Sequence, residues 1–249
     1  MASSQSVPRK RKLPAWMKLK TETKSAQTGL SNGVTKSSVL EDSLPELRFT
    51  GGIIYSHRKD DCSLLCQDII CSLETQQHNA AVGFDIEWPV TYQRGREDRT
   101  ALVQICTPEK CCYLFHVSCM GELPKGLKEL LSHSKIKKVG VGIDSDLWKL
   151  ERDFDIRVKE IIDGSTIDLS VMANRVVNSS QTWSLDGLTR YLLRQKLCKD
   201  PSVRKSDWRQ FPLSSRQQMY AATDAYASLI LYEKLLEQEN FAQNSSEKI

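Results

Sequence analysis

Long hydrophobic runs are missing from this 249-residue sequence. No apolar stretch approaches the roughly 18 residues that a membrane-spanning helix needs. The first residues also contain no apolar segment of the kind found in signal peptides. We therefore expect a chain that is neither secreted nor inserted in a membrane.

The sequence has no pair of cysteines at Cys-x-x-Cys spacing and no neighbouring histidine pair that would complete a zinc site. Disulfide frameworks are typical of small secreted proteins, whereas reduced thiols are typical of the cytosol and the nucleus. We expect reduced thiols at all eight cysteines: Cys62, Cys66, Cys71, Cys106, Cys111, Cys112, Cys119 and Cys198.

Acidic residues are scarce at the start of the chain. Residues 1–36 contain eight Lys or Arg and one acidic residue, so the formal net charge of +4 comes from this segment and the remainder is mildly acidic. Residues 1–45 also contain few large apolar side chains. We predict a disordered basic arm over 1–45, one folded domain over 46–238 and a short flexible tail over 239–249.

A short basic run, Pro8-Arg9-Lys10-Arg11-Lys12, lies within the predicted arm. Such a run is either a nuclear import signal or a solvated charge run without a receptor. Taken with the cysteine pattern, it favours a nuclear location.

The pattern of apolar segments predicts an α/β fold with a mixed sheet. Runs at 81–88, 100–106 and 112–117 follow one another closely, which predicts an antiparallel meander. Ser184 and Ser214 are predicted to cap the last two helices. Further strands are predicted at 53–55, 138–143 and 160–162, and helices at 61–73, at 127–133, from residue 144, at 185–192 and from residue 215 to about 238.

Four acidic residues and one tyrosine are the candidate functional residues. Asp85 and Glu87 share one face of a predicted strand because strand side chains alternate. Tyr220 and Asp224 lie one turn apart on a predicted helix, and Asp146 lies in the first turn of another helix. Converging carboxylates repel one another unless cations bind them, and oxygen ligands without His or Cys favour Mg²⁺ or Mn²⁺.

Each of these residues also has an ordinary structural explanation. Asp85 and Glu87 are compatible with a solvated strand face, although their neighbours Phe84 and Ile86 are apolar. An acid in a first helical turn complements the helix dipole, and a helix tyrosine is often packed in a core. The functional prediction depends on the combination of these residues in this order and on these elements.

This combination resembles the DEDDy class of 3′→5′ exonucleases, whose motifs carry Asp-x-Glu on a strand, a central Asp at a strand-to-helix junction and Tyr-x-x-x-Asp on a late helix. The resemblance covers roughly residues 47–238 and implies an RNase H-like fold. More narrowly, five segments resemble the Werner-type exonuclease domains of the RNase D-like family, at residues 84–89, 112–117, 140–143, 182–185 and 220–226.

The resemblance implies a role for each candidate residue in a site that holds two divalent cations, Mg²⁺ or Mn²⁺. Asp85 is expected to bridge both ions, Glu87 and Asp224 to hold the ion that activates water, and Asp146 to support the second ion. Tyr220 is expected to orient the attacking water, because its ordinary pKa near 10 makes it a poor ionised base at neutral pH.

Contacts to nucleic acid are predicted near the site. Arg94, Arg96 and Arg99 follow the first acidic strand and are candidates for phosphate binding, with a solvated hairpin as the alternative. Trp148 either stacks on a terminal base or packs in the core. A second basic group precedes Trp208 and consists of Lys196, Lys199, Arg204 and Lys205.

The leading interpretation is a nuclear 3′→5′ exonuclease that releases nucleotides from DNA 3′ ends, single-stranded or recessed in a duplex, during DNA repair or replication. Its enzymatic alternative is an RNase D-like exoribonuclease, and its non-enzymatic alternative is a silent nucleic-acid-binding module. Werner-type domains accompany a RecQ helicase. This sequence shows no Gly-x-x-x-x-Gly-Lys-Ser/Thr loop, so it is either a stand-alone relative or an N-terminal fragment, and a RecQ-type helicase is a candidate partner in trans.

Overall fold

A computed structural model of the protein describes residues 43–75, 80–92, 95 and 97–246. Most of the predicted basic arm, including the run at 8–12, lies outside these residues. In the described part, no helix is both long enough and apolar enough to cross a membrane.

The centre of the domain is a six-stranded mixed sheet with the strand order β1-β4-β3-β2-β5-β6. β2 pairs antiparallel with β3, and β3 pairs antiparallel with β4, so the predicted meander is confirmed. The other neighbours in the sheet are parallel. The strands are β1 (Gly52–Ser56), β2 (Ala81–Glu87), β3 (Leu102–Thr107), β4 (Cys111–Phe115), β5 (Lys137–Gly140) and β6 (Thr166–Asp168).

Helices cover both faces of this sheet. They are α1 (Lys59–Glu74), α2 (Val117–Met120), α3 (Lys125–Ser132), α4 (Ile143–Phe154), α5 (Lys159–Ser165), α6 (Leu169–Val176), α7 (Leu185–Leu188), which continues into a π-helical turn (Thr189–Leu193), α8 (Pro201–Arg204) and α9 (Ser215–Ser246).

Strand alternation divides the apolar residues between two cores. Phe84 and Ile86 of β2 point into a core that α1, α3 and α4 complete. On the opposite face, Leu102 and Leu114 pack with residues of α6 and α9, including Ala221. Because helices pack on both sides of the sheet, both faces of β2 are covered, and its polar side chains lie on the face that α9 packs against.

Two helix starts follow the predicted capping pattern. Ser184 Oγ accepts a hydrogen bond from the Gly187 amide at 3.0 Å. At the start of α9, the Ser214 amide donates to Gln217 Oε1 at 2.9 Å, and the Gln217 amide donates back to Ser214 Oγ at 3.3 Å. This reciprocal pair is a capping box, and it fixes the point at which the helix carrying Tyr220 begins.

Two predicted boundaries differ in the structure. The predicted strand at 160–162 is wrong, because these residues belong to α5 and the strand follows at Thr166–Asp168. Ile161 packs in the core from its helical position, and Ser165 donates to its carbonyl one turn earlier. The final helix continues to Ser246, so residues 239–246 are helical and not a flexible tail.

Candidate active site

The site begins at the end of β2, where Asp85 and Glu87 point toward α9. Their strand neighbours Phe84 and Ile86 are 1% and 3% exposed on the opposite face. The strand therefore holds the two carboxylates in fixed directions. Both are half-buried, so the face they occupy is shielded from most of the solvent.

A glycine lets α9 approach this strand closely. A Cβ atom at Gly83 would lie 1.9 Å from the carbonyl oxygen of Ala225, so no other residue fits there without moving the helix. Ala221, Ala222 and Ala225 are fully buried on the contacting face of α9. The small side chains on both elements thus bring Asp224, the neighbour of Ala225, against the carboxylates of β2.

The structure brings three of the predicted carboxylates into one cluster. Oxygen atoms of Asp85, Glu87 and Asp224 all lie within 4.8 Å of one another. The donor set consists of carboxylate oxygens, which suits hard divalent cations such as Mg²⁺ and Mn²⁺, and it lacks the His and Cys side chains that zinc and copper sites commonly use. The residues present therefore fit a divalent metal centre.

The fourth carboxylate, Asp146, lies in the first turn of α4, outside that tight cluster. Gly142 precedes the helix with a positive φ of 72°, and its amide donates to Asp168 Oδ2 at 2.7 Å. Burial and the charges of Asp85 and Asp168 raise the pKa of Asp146 to about 8. Asp146 is thus within electrostatic reach of Asp85.

The metal-free cluster is electrostatically strained. Burial raises the pKa of Asp85 to about 7. Burial raises the pKa values of Glu87 and Asp224 well above their usual range, and the neighbouring carboxylates raise them further. Protons or cations must compensate this repulsion, so the site is built to favour a bound positive charge.

Tyr220 completes the group from α9. A hydrogen bond from its hydroxyl lowers the pKa of the Asp224 carboxyl. Burial and the charges of Asp224, Glu87 and Asp85 raise the pKa of Tyr220 above its ordinary value. Tyr220 therefore remains protonated at neutral pH and is available as a hydrogen-bond donor.

One cation from the second basic group lies at the site. The charge of Arg204, at the end of α8, lowers the pKa values of Glu87, Asp224 and Tyr220. Its side chain is exposed and so available to a phosphate. The sequence indicated a basic region, but only the packing of α8 beside α9 distinguishes Arg204 from its neighbours.

The residues predicted to contact nucleic acid differ in their exposure and in their contacts within the protein. Trp148 is 39% exposed on α4, two residues after Asp146, so it is not a core tryptophan. Arg99 hydrogen-bonds the Asp153 carbonyl oxygen and lies 4.7 Å from the centre of the Phe154 ring, which gives it a structural role. Arg94 and Arg96 lie outside the described residues.

The mixed sheet with helices on both faces is an RNase H-like fold, and the carboxylate cluster lies at the end of its strand β2. The chain superposes on the EXO domain of Nibbler from Aedes aegypti with a TM-score of 0.60 and 20% identity, covering 77% of this chain and 90% of that chain. It superposes on Escherichia coli RNase D with a TM-score of 0.60 and 21% identity, covering 78% and 46% of the two chains. Both likenesses concern the fold.

A family model described as 3′-5′ exonuclease matches residues 61–239, and the chain belongs to this family. It is 45% identical over 225 residues to the mouse protein named bifunctional 3′-5′ exonuclease/ATP-dependent helicase WRN. It is 32% identical over 231 residues to a 3′-5′ exonuclease of Drosophila ananassae. The resemblance to Werner-type exonuclease domains is confirmed by these matches.

These relatives are longer than the aligned region. The mouse alignment covers 90% of this chain and 15% of the mouse protein. The Drosophila ananassae alignment covers 92% of this chain and 65% of that protein. The chain thus spans less than two thirds of the length of these relatives.

Proposed function

We propose that this protein is a 3′→5′ exonuclease that hydrolyses phosphodiester bonds at the 3′ ends of DNA with two divalent cations, Mg²⁺ or Mn²⁺. The observation that carries the proposal is the cluster of Asp85, Glu87 and Asp224, whose oxygens lie within 4.8 Å of one another. Tyr220, one helical turn before Asp224 on α9, lies beside this cluster, and burial and the charges of the cluster raise its pKa.

The side chains have distinct tasks in this reaction. Asp85, Glu87 and Asp224 would hold the cations, with Asp146 supporting the second ion. Bound divalent cations stabilise charge on the attacking and leaving oxygens and lower the pKa of water. Tyr220 would orient the attacking water through its hydroxyl group, and the charge of Arg204 would attract the scissile phosphate.

The DNA assignment follows the resemblance to Werner-type domains. RNA is the alternative substrate, since an RNase H-like fold serves either polymer and the contacts that sense a 2′-hydroxyl lie outside the shared motifs. A silent binding module is disfavoured because all five candidate residues are present in the sequence.

The test uses 5′-labelled DNA in single-stranded, blunt and 3′-recessed forms, together with RNA of the same sequence. With Mn²⁺ or Mg²⁺, we expect a ladder that shortens from the 3′ end of DNA and disappears in excess EDTA. Asp85→Asn should lower the rate by at least about 10²-fold. Glu122→Gln removes an exposed carboxyl that pairs with Lys59 at 2.6 Å and should leave the rate unchanged.

Three results would contradict parts of the proposal. Cleavage that persists in EDTA would exclude the metal centre. Faster cleavage of RNA than of every DNA form would show that RNA is the preferred substrate and would favour a function in RNA processing. DNA binding without cleavage in both metals would leave the silent binding module as the function.

We further propose a nuclear role in genome maintenance, with a RecQ-type helicase as a partner. The basic run at 8–12 supports nuclear import, and the name of the mouse relative includes a helicase. Because 28.3 kDa is small, the import test requires a large fluorescent fusion in which the four basic residues of this run are neutralised. A fusion that stays nuclear after this change would refute the signal. For the partner, adding a RecQ-type helicase should accelerate degradation of blunt duplex DNA.

A further inference from the structure

Gln104, on β3, is a buried polar residue in an otherwise apolar stretch of the strand. Its side chain is fully buried, and neither its Nε2 nor its Oε1 forms a hydrogen bond to any residue in the described ranges. Burying an amide in this state costs folding free energy, since both groups lose their bonds to water. An apolar residue of similar size would suit the fold alone better.

The strand register places Gln104 directly opposite Asp85. Directly paired residues in antiparallel strands project to the same face, with Cβ atoms about 5 Å apart. On its other side, Gln104 is paired with the apolar Leu114 of β4. Asp85 is thus the polar cross-strand neighbour of this amide, while Leu114 offers it no hydrogen bond.

The helix above this position also leaves the amide in apolar surroundings. Leu102, two residues before Gln104 on the same face, packs in one core with Ala221 and Ala225 of α9. Nearby on the same face, Cys112 of β4 donates to the Ala222 carbonyl at 3.3 Å, so α9 lies close over these strands and leaves little space for solvent. A polar group that is shielded from water next to a carboxylate points to a role in the metal-bound state of that carboxylate.

We propose that Gln104 is a positioning residue of the metal centre, whose side-chain amide hydrogen-bonds the Asp85 carboxylate when that carboxylate holds a cation. The inference rests on the proposed function and adds a residue to it. Carboxylates that ligate metals are commonly fixed by hydrogen bonds from residues behind them, and losing such a partner typically weakens metal binding by 10-fold to 100-fold. The amide N–H groups of Gln104 are the donors that the opposite strand supplies to Asp85.

The test is Gln104→Met in the full chain, which keeps the volume and removes the amide. Mn²⁺ binding is measured without substrate, by electron paramagnetic resonance titration of free Mn²⁺. We expect affinity to fall by about 10-fold to 100-fold. Thermal stability in EDTA should be unchanged or higher, because an unpaired buried amide has been replaced by an apolar group.

Leu114→Met is the matched control. Leu114 is fully buried on the same face, and it is adjacent to Gln104 on the side away from Asp85. Its replacement should leave Mn²⁺ affinity within twofold of the wild type. Gln104→Leu provides a second variant without the amide and should reproduce the loss of affinity.

The outcomes separate this inference from the proposed function. Wild-type protein that binds no Mn²⁺ would overturn the metal centre itself. Wild-type protein that binds Mn²⁺, with Gln104→Met and Gln104→Leu binding it equally well, would overturn only the positioning role. If both variants are less stable than the wild type in EDTA, and this loss of stability accounts for their weaker Mn²⁺ binding, the amide serves the fold and the proposal is overturned.

Discussion

Lys149 Nζ lies 3.2 Å from Asp153 Oδ2 in an almost fully buried ion pair on α4. The same Asp153 oxygen accepts hydrogen bonds from the amide and the hydroxyl of Thr100 at 2.6 and 2.7 Å. Lys149 also donates to the Asp98 carbonyl at 2.8 Å and lies 4.9 Å from the centre of the Trp88 ring. The pair therefore ties the helix that carries Asp146 to the loop between the two central strands.

Replacing Lys149 should destabilise the protein strongly. Lys149→Met leaves Asp153 buried without its cation, and removing one member of such a pair typically costs about 3–5 kcal/mol. Urea unfolding measures this cost. Lys125→Met, which breaks the exposed Lys125–Glu129 pair on α3, should cost at most about 1 kcal/mol. Equal effects of the two substitutions would show that the buried network does not support the loop.

The metal-free protein should become less stable as the pH rises. Folding raises the pKa of Asp85 from 3.8 to about 7 and that of Asp146 to about 8. The folded chain therefore holds protons that the unfolded chain has released, and the stability present below pH 4 is lost as the pH rises through 7 to 8. Thermal unfolding in EDTA should show this fall, and saturating Mg²⁺ should remove it.

Asp85→Asn isolates the contribution of the cluster to that pH dependence. In EDTA the variant should gain about 1–3 kcal/mol relative to wild type between pH 5 and pH 8. The comparison with wild type is needed because Lys138 is also buried, and its pKa is lowered to about 7. Above pH 7 this lysine makes both proteins more stable as the pH rises, which opposes the effect of the carboxylates. A difference between the two proteins that does not vary with pH would contradict the electrostatic account.

Tyr220→Phe should lower turnover while leaving metal binding intact. The phenyl ring preserves the packing against Trp208, whose ring centre is 6.0 Å away, but the substitution removes the hydroxyl that we propose orients water. We expect kcat to fall by about 10²-fold with Mn²⁺ affinity within a few-fold of wild type. Tyr226→Phe, on the same helix with its ring packed 5.2 Å from that of Phe49, should retain full activity. Normal turnover in Tyr220→Phe would return that tyrosine to a packing role.

Gly83→Ala should damage the fold and the site together. The added Cβ would collide with the Ala225 carbonyl, so α9 must shift, at a cost of about 1–3 kcal/mol and with weaker Mn²⁺ binding. Gly164→Ala is the control, since a Cβ there meets nothing within 4 Å and alanine favours a helix by about 0.5–1 kcal/mol. If Gly83→Ala binds Mn²⁺ with wild-type affinity, the close contact between β2 and α9 is not required for the metal site.

Much of the site could be predicted from the sequence because its main periodicities are local. Strand alternation places Asp85 and Glu87 together, and one helical turn places Tyr220 beside Asp224. The Ser214 capping box likewise involves neighbours in the chain. Each of these features is determined within a few residues.

The remaining features depend on which segments meet in three dimensions. Gln104 becomes a neighbour of Asp85 through strand register, and no local pattern fixes that pairing. The segment at 160–162, predicted as a strand, forms a helix in which Ile161 packs in the core. At the end of that helix, Ser165 accepts a 2.6 Å hydrogen bond from Lys138. Tertiary contacts outweigh the β-branched residues of a short segment.

The close contact between Gly83 and Ala225 also determines when the complete site can form during translation. Asp85 and Asp224 are separated by about 140 positions in the chain, and they meet only after α9 has docked on β2. A nascent polypeptide on the ribosome that ends before residue 224 lacks one carboxylate of the cluster. Such a chain has no complete metal centre, so nuclease activity can emerge only after nearly the whole domain has been translated.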